Sequence, residues 1–309
     1  MSQPDFSHDG IRTARGTAFR YLFMLCALLS ILTTVAIILT LLVDAVDFFA
    51  QVSLVDFLTG TRWSPTNEPI AFGVLPLISG TLVITIGSAM VALPIGLLTA
   101  IYLSEYASAR RRAYLKPALE VLAGVPTVVY GYFALVYVTP AIDAILPVDL
   151  STFNALSASI MVGIMIIPMV SSISEDAMSA VPDSLRQASY GLGATKFTVS
   201  TSVVVPAALS GIFSSFILAL SRAIGETMIV AIAAGQTPRM IDLTDPAGMF
   251  LDSIQPMTSA MVQIGTGDIV GQGPAYKSLF AVGLTLFVIT FVMNLISELV
   301  ASRYREVYR

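Results

Sequence analysis

This sequence predicts an all-α integral membrane protein with six transmembrane helices and both termini in the cytoplasm. Three observations carry that reading. Charged residues make up 12% of the 309 and apolar residues 56%, whereas an ordinary soluble domain holds about 25% charged residues. The apolar residues gather in long unbroken runs, unlike the weak alternation of a β-barrel. The Lys and Arg residues collect between alternate runs. The same composition excludes a soluble globular enzyme and a disordered chain, and a net charge of −4 leaves no general attraction to nucleic acid. One Cys and one His can build neither an internal disulfide nor a His/Cys metal site.

A membrane helix needs about 20 mostly apolar residues, because the hydrocarbon core is about 30 Å thick and each residue rises about 1.5 Å. Tyr21 to Val43, Leu75 to Leu103, Val121 to Thr139, Asn154 to Ser172 and Ser278 to Ser297 contain no charge, and Val203 to Ala234 contains only Arg222 and Glu226. The helices are placed at about 19–43, 75–103, 119–139, 154–172, 203–234 and 278–301. Residues 1–18 form a cytoplasmic tail, and 19–309 a single transmembrane domain with a long cytoplasmic loop at 173–202. The first run reads as a retained helix and not as a cleaved signal peptide, since Asp44, Asp47 and two Phe follow it with no small-residue cleavage site.

Orientation follows from the basic residues. Arg12, Arg15 and Arg20 precede the first helix, Arg110, Arg111, Arg112 and Lys116 fill the second loop, Arg186 and Lys196 the fourth, and Arg303, Arg305 and Arg309 the C-terminal tail. The other three loops hold only Arg62, Arg239 and Lys277, together with ten acids from Asp44 to Asp268. Those three loops therefore face outward, and two of them, 44–74 and 235–277, are long and rich in Pro and Gly.

Several chemistries are missing. Gly271-Gln-Gly-Pro-Ala-Tyr-Lys277-Ser278 fails as a phosphate-binding loop because Tyr276, not Gly, precedes the Lys, and Gly191-Leu-Gly193-Ala-Thr-Lys196 fails likewise. No zinc-protease HExxH and no nucleophile-elbow GxSxG occurs, and the one His, His8, lies in the tail. If the chain pumps, another chain must hydrolyse the nucleotide.

The cytoplasmic loop is the informative one. Asp183 or Ser184 can cap a short helix, and Gly191 or Gly193 can end it in the left-handed conformation. Leu185, Ala188 and Leu192 share helical spacing, with Arg186 and Gln187 beside them. A short helix, a sharp turn and a segment entering the membrane make a rigid protrusion suited to a groove on a partner; an ordinary interhelical loop fits the residues equally well. Here the sequence resembles the permease subunits of bacterial ATP-binding-cassette importers, whose loop reads EAA-x3-G-x9-I-x-L-P. This chain has Gln187-Ala188-Ser189-x3-Gly193-x9-Val203-x-Val205-Pro206, with the spacing kept throughout. The resemblance implies a MetI-like type I importer permease fold. It also implies that Asp183, Arg186, Gln187, Ala188, Ser189, Gly193, Ala194 and Pro206 belong to the coupling region that meets the ATPase.

Further stretches resemble the phosphate-specific branch, and its PstC-type subunit in particular. These are Phe57-x5-Trp63-x-Pro65, Phe72-Gly-Val-Leu-Pro76, Leu103-Ser-Glu105-Tyr106-Ala107, Leu115-Lys-Pro117, Leu122-Ala-Gly124-Val-Pro126-Thr-Val-Val-Tyr130-Gly131, Arg222-Ala-Ile-Gly225-Glu226-Thr227-Met228 and Gln255-Pro-Met257-Thr258. The resemblance implies a subunit forming half of an inorganic phosphate path in a bacterial cytoplasmic membrane. Its partners would be a homologous PstA-type permease, two copies of a PstB-type ATPase and an external PstS-type phosphate-binding protein. The chain itself would bind no cofactor and catalyse no covalent step; the partner ATPase would use ATP and Mg. Another oxyanion, such as sulfate, molybdate or tungstate, is the alternative cargo. An ion-coupled secondary transporter would leave the spaced loop motif unexplained.

The candidate path residues are Arg222, Glu226, Thr127 and Tyr130. Counted from Pro206, Arg222 lies about 24 Å along a continuous helix, towards the outer half of the membrane. A charge there costs at least about 2.5–3.5 kcal/mol, so it needs a partner or a use. Glu226, four residues on, would share its face. Two readings stay open: a structural ion pair, or a guanidinium that meets a phosphate oxyanion bidentately in one conformation. Thr127 and Tyr130, beside the kink at Pro126, either line the path or satisfy neighbouring carbonyls. Pro94 and Pro168 also fall inside helices. Trp63 is a docking contact, a loop-core residue or an interfacial anchor. Gly80, Gly87, Gly131, Gly163 and Gly283 mark close helix packing.

The charge distribution yields a direct test of topology. A fluorescent protein fused after Arg309 should fluoresce as in the cytoplasm, and alkaline phosphatase at the same point should be inactive; the reverse pattern would invert the orientation.

Overall fold

The structure is a computed structural model, and it describes residues 9–147, 149–242, 244–267 and 273–303. His8, Asp268, Gly271, Arg305 and Arg309 lie outside the described residues. Long apolar stretches become helices because a backbone in hydrocarbon must bond to itself. Helix α1 covers Asp9–Phe49, α3 Leu75–Ile101, α7 Ala155–Ser179 and α15 Pro274–Arg303. Between α1 and α3 lie a short helix α2 (Leu54–Thr59) and a two-stranded hairpin, β1 (Trp63–Ser64) with β2 (Ala71–Phe72), in which Trp63 pairs with Phe72.

Two predicted spans are not single helices. The run at 119–139 is divided at Pro126. Residues 119–124 end α4 (Ala109–Gly124), an exposed basic helix, and the span proper begins with α5 (Thr127–Phe133). A π turn, Ala134–Val138, joins α5 to α6 (Thr139–Ile145). Proline offers no N–H and disfavours a helical residue before it, and Val125 duly sits in extended backbone. The run at 203–234 is broken twice. A π turn, Ser200–Val204, links α9 (Lys196–Val199) to α10 (Val205–Ala207), and α11 (Leu209–Ile224) leaves that segment at a 70° bend. Gly225 ends α11, and α12 (Met228–Ala233) starts three residues later. Among the described residues five helices are long and apolar enough to cross a membrane, and the bent pair counted as one span makes six.

Burial is organised at three levels. At mid-depth α3 and α7 run side by side, with α11 and α12 against them, around Ile84, Ala92, Val162, Ile166, Ala219 and Ile229. Their axes approach closely because Gly87 faces Ser159 and Gly163 faces Val91. The outer level is aromatic: Phe48, Phe57 and Phe72 meet edge to face, and Trp63 packs on Phe72. Trp63 is thus a residue of the loop core, buried with Val74, Leu77 and Met257. The cytoplasmic level gathers Ala100, Met178, Val181, Val199, Val204 and Ile212. Pro94 and Pro168 sit inside helices that continue through them. By contrast α1 is exposed along most of its length, as lipid-facing apolar side chains require.

The outer loop 235–277 does more than connect. It contains α13 (Pro246–Leu251) and α14 (Met257–Thr266), and α14 re-enters the bundle with Met257, Thr258, Ser259 and Ala260 all buried. Gly80 on α3 permits this, since a side chain there would meet the backbone of Gln255. The Thr81 hydroxyl accepts the Met257 N–H at 3.0 Å beside it. Gly80→Val should therefore push α14 out of its seat at a cost of about 1–3 kcal/mol. Thermal unfolding in detergent is expected at a lower temperature than wild type, with protease cleavage appearing within 257–266.

Candidate functional site

The predicted coupling loop folds as a short exposed helix, α8 (Asp183–Gly191), lacking any buried residue. Pro182, and neither Asp183 nor Ser184, occupies the N-cap position, with no side-chain cap. The C-terminal end explains the glycine of the motif. Gly193 has φ +84°, the left-handed conformation that costs other residues about 1–2 kcal/mol. Its N–H meets the Tyr190 carbonyl at 2.9 Å, and the Ala194 N–H meets the Ser189 carbonyl at 3.1 Å. These are the two bonds of a Schellman turn, and they fix the interval from Ser189 to Gly193. Gln187, Ala188 and Pro206 are exposed, and the Ser189 hydroxyl is turned back on the Leu185 carbonyl at 2.9 Å.

The apolar face read from Leu185, Ala188 and Leu192 is divided by the fold. Leu185 packs on the cytoplasmic core, while Leu192, beyond the end of the helix, is 90% exposed. Phe197 is 69% exposed and Tyr190 is exposed as well. Three apolar side chains thus stand out around one turn, where solvent exposure on this scale marks a contact surface. Tyr190 and Phe197 were legible only as apolar residues in a polar loop. Arg186 points the other way, into the protein, and touches Glu105, Met178 and Val181.

The basic residues of the second loop also have partners. Arg112 and Lys116 on α4 both meet the buried carboxylate of Glu175 at the end of α7, and Lys116 lies 3.6 Å from Asp176. On the outer side Arg239 pairs with Asp252 at 2.5 Å, and Lys277 with Asp47 at 2.9 Å. The Arg239 guanidinium and the Ser151 hydroxyl hold the Asp252 carboxyl below the usual carboxylate range.

Arg222 differs from these. It has no ion pair or hydrogen bond to any described residue, and it opens onto a cavity of about 350 Å³ shared with Leu103, Lys116, Glu120, Met165 and Pro168. Its depth follows from α7, because Ser215 bonds Ser174 at 2.7 Å and Gly211 faces Ala177. The two helices run antiparallel, so Arg222 comes level with Pro168, about 20 Å from the outer end of α7 and about 16 Å from the inner. It lies at mid-depth and opens cytoplasmically, not towards the outer half, because the bend at Ala208 spends part of the counted length sideways.

Glu226 does not share a helix face with Arg222, since α11 stops at Ile224. Its buried carboxylate accepts the N–H groups of Met228 and Ile229 at 3.0 and 3.2 Å, capping α12, and its own carbonyl accepts the Thr258 hydroxyl at 2.7 Å. Tyr130 is buried, with its hydroxyl donating to the Leu122 carbonyl at 2.7 Å across the Pro126 break. Thr127 is half-buried at the start of α5. The cavity lining includes Arg222 but none of these three. In this conformation the Glu226 and Tyr130 side chains satisfy backbone groups near helix ends, and Arg222 faces the cavity.

Residues 92–306 match the family model of the binding-protein-dependent transport system inner membrane component. The chain belongs to that family. A probable ABC transporter permease protein of Bacillus subtilis, YqgH, is 35% identical over 92% of this chain and 90% of its own length. The phosphate transport system permease protein PstC of Mesorhizobium japonicum is 30% identical over 98% of each chain. Among solved structures, a bacterial ABC transporter involved in the import of the acidic polysaccharide alginate superposes with a TM-score of 0.64 at 14% identity, over 96% of this chain and 100% of that one. The inward-facing MetNI methionine transporter gives 0.55 at 17% identity over 78% and 100%. The fold is therefore that of the MetI-like type I importer permeases, and the permease is a multi-pass membrane protein.

Its helix caps are testable. Glu226→Ala removes the acceptor for two N–H groups and should cost about 1–3 kcal/mol, lowering the unfolding temperature in detergent. Glu226→Gln keeps an acceptor oxygen and should unfold closer to wild type; equal losses in both would assign the residue to charge rather than capping.

Proposed function

We propose that this permease is the transmembrane subunit of an ATP-driven importer and forms half of the translocation path for inorganic phosphate. The observation that carries the reading is the likeness to a phosphate transport permease along 98% of both chains. A free guanidinium at mid-depth is consistent with it, since Arg matches a phosphate oxyanion through two parallel hydrogen bonds. Arg222 is assigned to the path. Glu226, Tyr130 and Thr127 shape the path by holding the broken helices around it.

The partners follow from the family. An external PstS-type protein delivers phosphate, a PstA-type permease supplies the other half, and two PstB-type ATPases use ATP and Mg in the cytoplasm. The chain works in the bacterial inner membrane, binds no cofactor and catalyses no bond change. Residues 183–206 dock on the ATPase, with Asp183, Gln187, Ala188, Ser189, Gly193, Ala194 and Pro206 in or beside the contact and Leu192 and Phe197 as its apolar points. Closure of the ATPase pair displaces α8 and opens the cavity outward; hydrolysis returns it inward.

The test is labelled-phosphate uptake at sub-micromolar substrate in cells lacking this chain, with wild type and Arg222→Gln supplied at matched membrane levels. Wild type should restore uptake that excess sulfate does not compete away. Arg222→Gln should restore less than a tenth of it, and Arg222→Lys should weaken apparent affinity, because an ammonium cannot form the bidentate pair. Full rescue by Arg222→Gln would reduce Arg222 to packing. Uptake competed by sulfate would replace phosphate with another oxyanion.

A further inference from the structure

Helix α8 is tied to the bundle by one charged side chain, beside the packing of Leu185 on the cytoplasmic core. Arg186, in its first turn, is 15% exposed and reaches back beneath the membrane helices. Its Nη2 donates to the Glu105 carboxylate at 3.0 Å and to the Met178 carbonyl at 2.8 Å. Its Nη1 donates to the Val181 carbonyl at 2.5 Å and to the Asp183 carboxylate at 3.3 Å. Met178 lies at the C-terminal end of α7, and Val181 just beyond it. Glu105 is 5% exposed and sits in a π turn, Tyr102–Tyr106, that closes the cytoplasmic end of α3. One guanidinium thus joins α8 to both α3 and α7.

The same turn is held from the other side of the loop. The Lys196 ammonium, at the start of α9, lies 5.1 Å from the centre of the Tyr106 ring, within cation–π range. The segment that ends α3 is therefore gripped by α8 through Glu105 and by α9 through Tyr106. No covalent connection requires this, because α3 is separated from α8 by α4, α5, α6 and α7.

We propose that Glu105 and Arg186 are positioning residues for energy coupling: they make α8 and the cytoplasmic end of α3 move as one body. The inference rests on the reading that α8 docks on the ATPase. With the pair intact, displacement of α8 reaches α3 directly, and α3 packs on both α7 and α11, the helix bearing Arg222. Without it, α8 keeps its chain connections to α7 and α9, its Leu185 packing and the Lys196–Tyr106 contact beside it, and loses its charge-assisted link to α3. A buried ion pair contributes little to stability compared with apolar packing, but it fixes geometry, because each member is satisfied in one arrangement only. Lysine could not replace the arginine, since a single ammonium cannot reach acceptors on three segments.

The experiment uses the whole importer, with its second permease and ATPases, in vesicles supplied with phosphate-loaded binding protein. The readout is ATP hydrolysed per phosphate imported, for wild type, Glu105→Gln, Arg186→Lys, the double variant and Glu105→Asp. We expect Glu105→Gln and Arg186→Lys to hydrolyse at least fivefold more ATP per phosphate. The double variant should be no worse than either single one, because both remove the same link. Glu105→Asp, which keeps the charge, should fall between them and wild type, and it reads the same ratio if Glu105→Gln fails to assemble. An unchanged ratio in the assembled variants overturns the proposal, whether or not their yield falls, since a purely structural pair changes amount and not coupling. A wild-type importer that shows no ATP-driven uptake overturns the docking reading, and the inference with it. Wild-type transport with unchanged variant ratios overturns the inference alone.

Discussion

Hydrocarbon supplies no hydrogen bonds, so each place where a membrane helix breaks must be answered from within the protein. An unsatisfied backbone group in that medium costs several kcal/mol. This chain breaks its helices at Pro126, at Ala208 and at Gly225, and two of the breaks are closed by side chains. The Tyr130 hydroxyl takes the Leu122 carbonyl across the first. The Glu226 carboxylate takes two N–H groups past the third, and Thr258 from α14 takes the carbonyl. Packing follows from these bonds: α14 has to enter the bundle to bring Thr258 there, and Gly80 and Thr81 on α3 have to admit it.

The arginines divide by the same accounting. Arg186 is enclosed and meets two carboxylates and two carbonyls. Arg112 and Lys116 lie on the buried Glu175. Arg222 sits at mid-depth with no described partner and an open cavity in front of it. A membrane protein keeps such a charge where water, a partner chain or a ligand completes it. The contrast is between a guanidinium spent on holding an element in place and one left available to a further partner.

The exposed surfaces fit an assembly. The apolar length of α1 suits lipid, and the outward-turned Leu192 and Phe197 suit a protein groove. Between them, the cytoplasmic ends of α3, α7 and α8 are joined by charge-assisted bonds in addition to aliphatic packing. Such bonds keep a fixed geometry where water competes.

The sequence by itself determined the class, the membrane-spanning runs and the turn that ends α8. Charge-free runs of 20 residues have one stable state in lipid, Lys and Arg reveal the cytoplasmic side, and the interval from Ser189 to Gly193 follows from the two bonds of a local turn. All of these are properties of single segments. Only the tertiary structure decided that 203–234 is three pieces, that α14 dips inward, that Glu226 is a cap instead of a partner for Arg222, and that Arg186 grips α3. Proline at 126 signalled its break, but the break at Gly225 is closed by Glu226 before α12 and by Thr258 on α14, which reaches it from the middle of the outer loop. Those outcomes depend on groups far apart in the chain meeting at one point, and the free energy of that meeting is not carried by either segment alone.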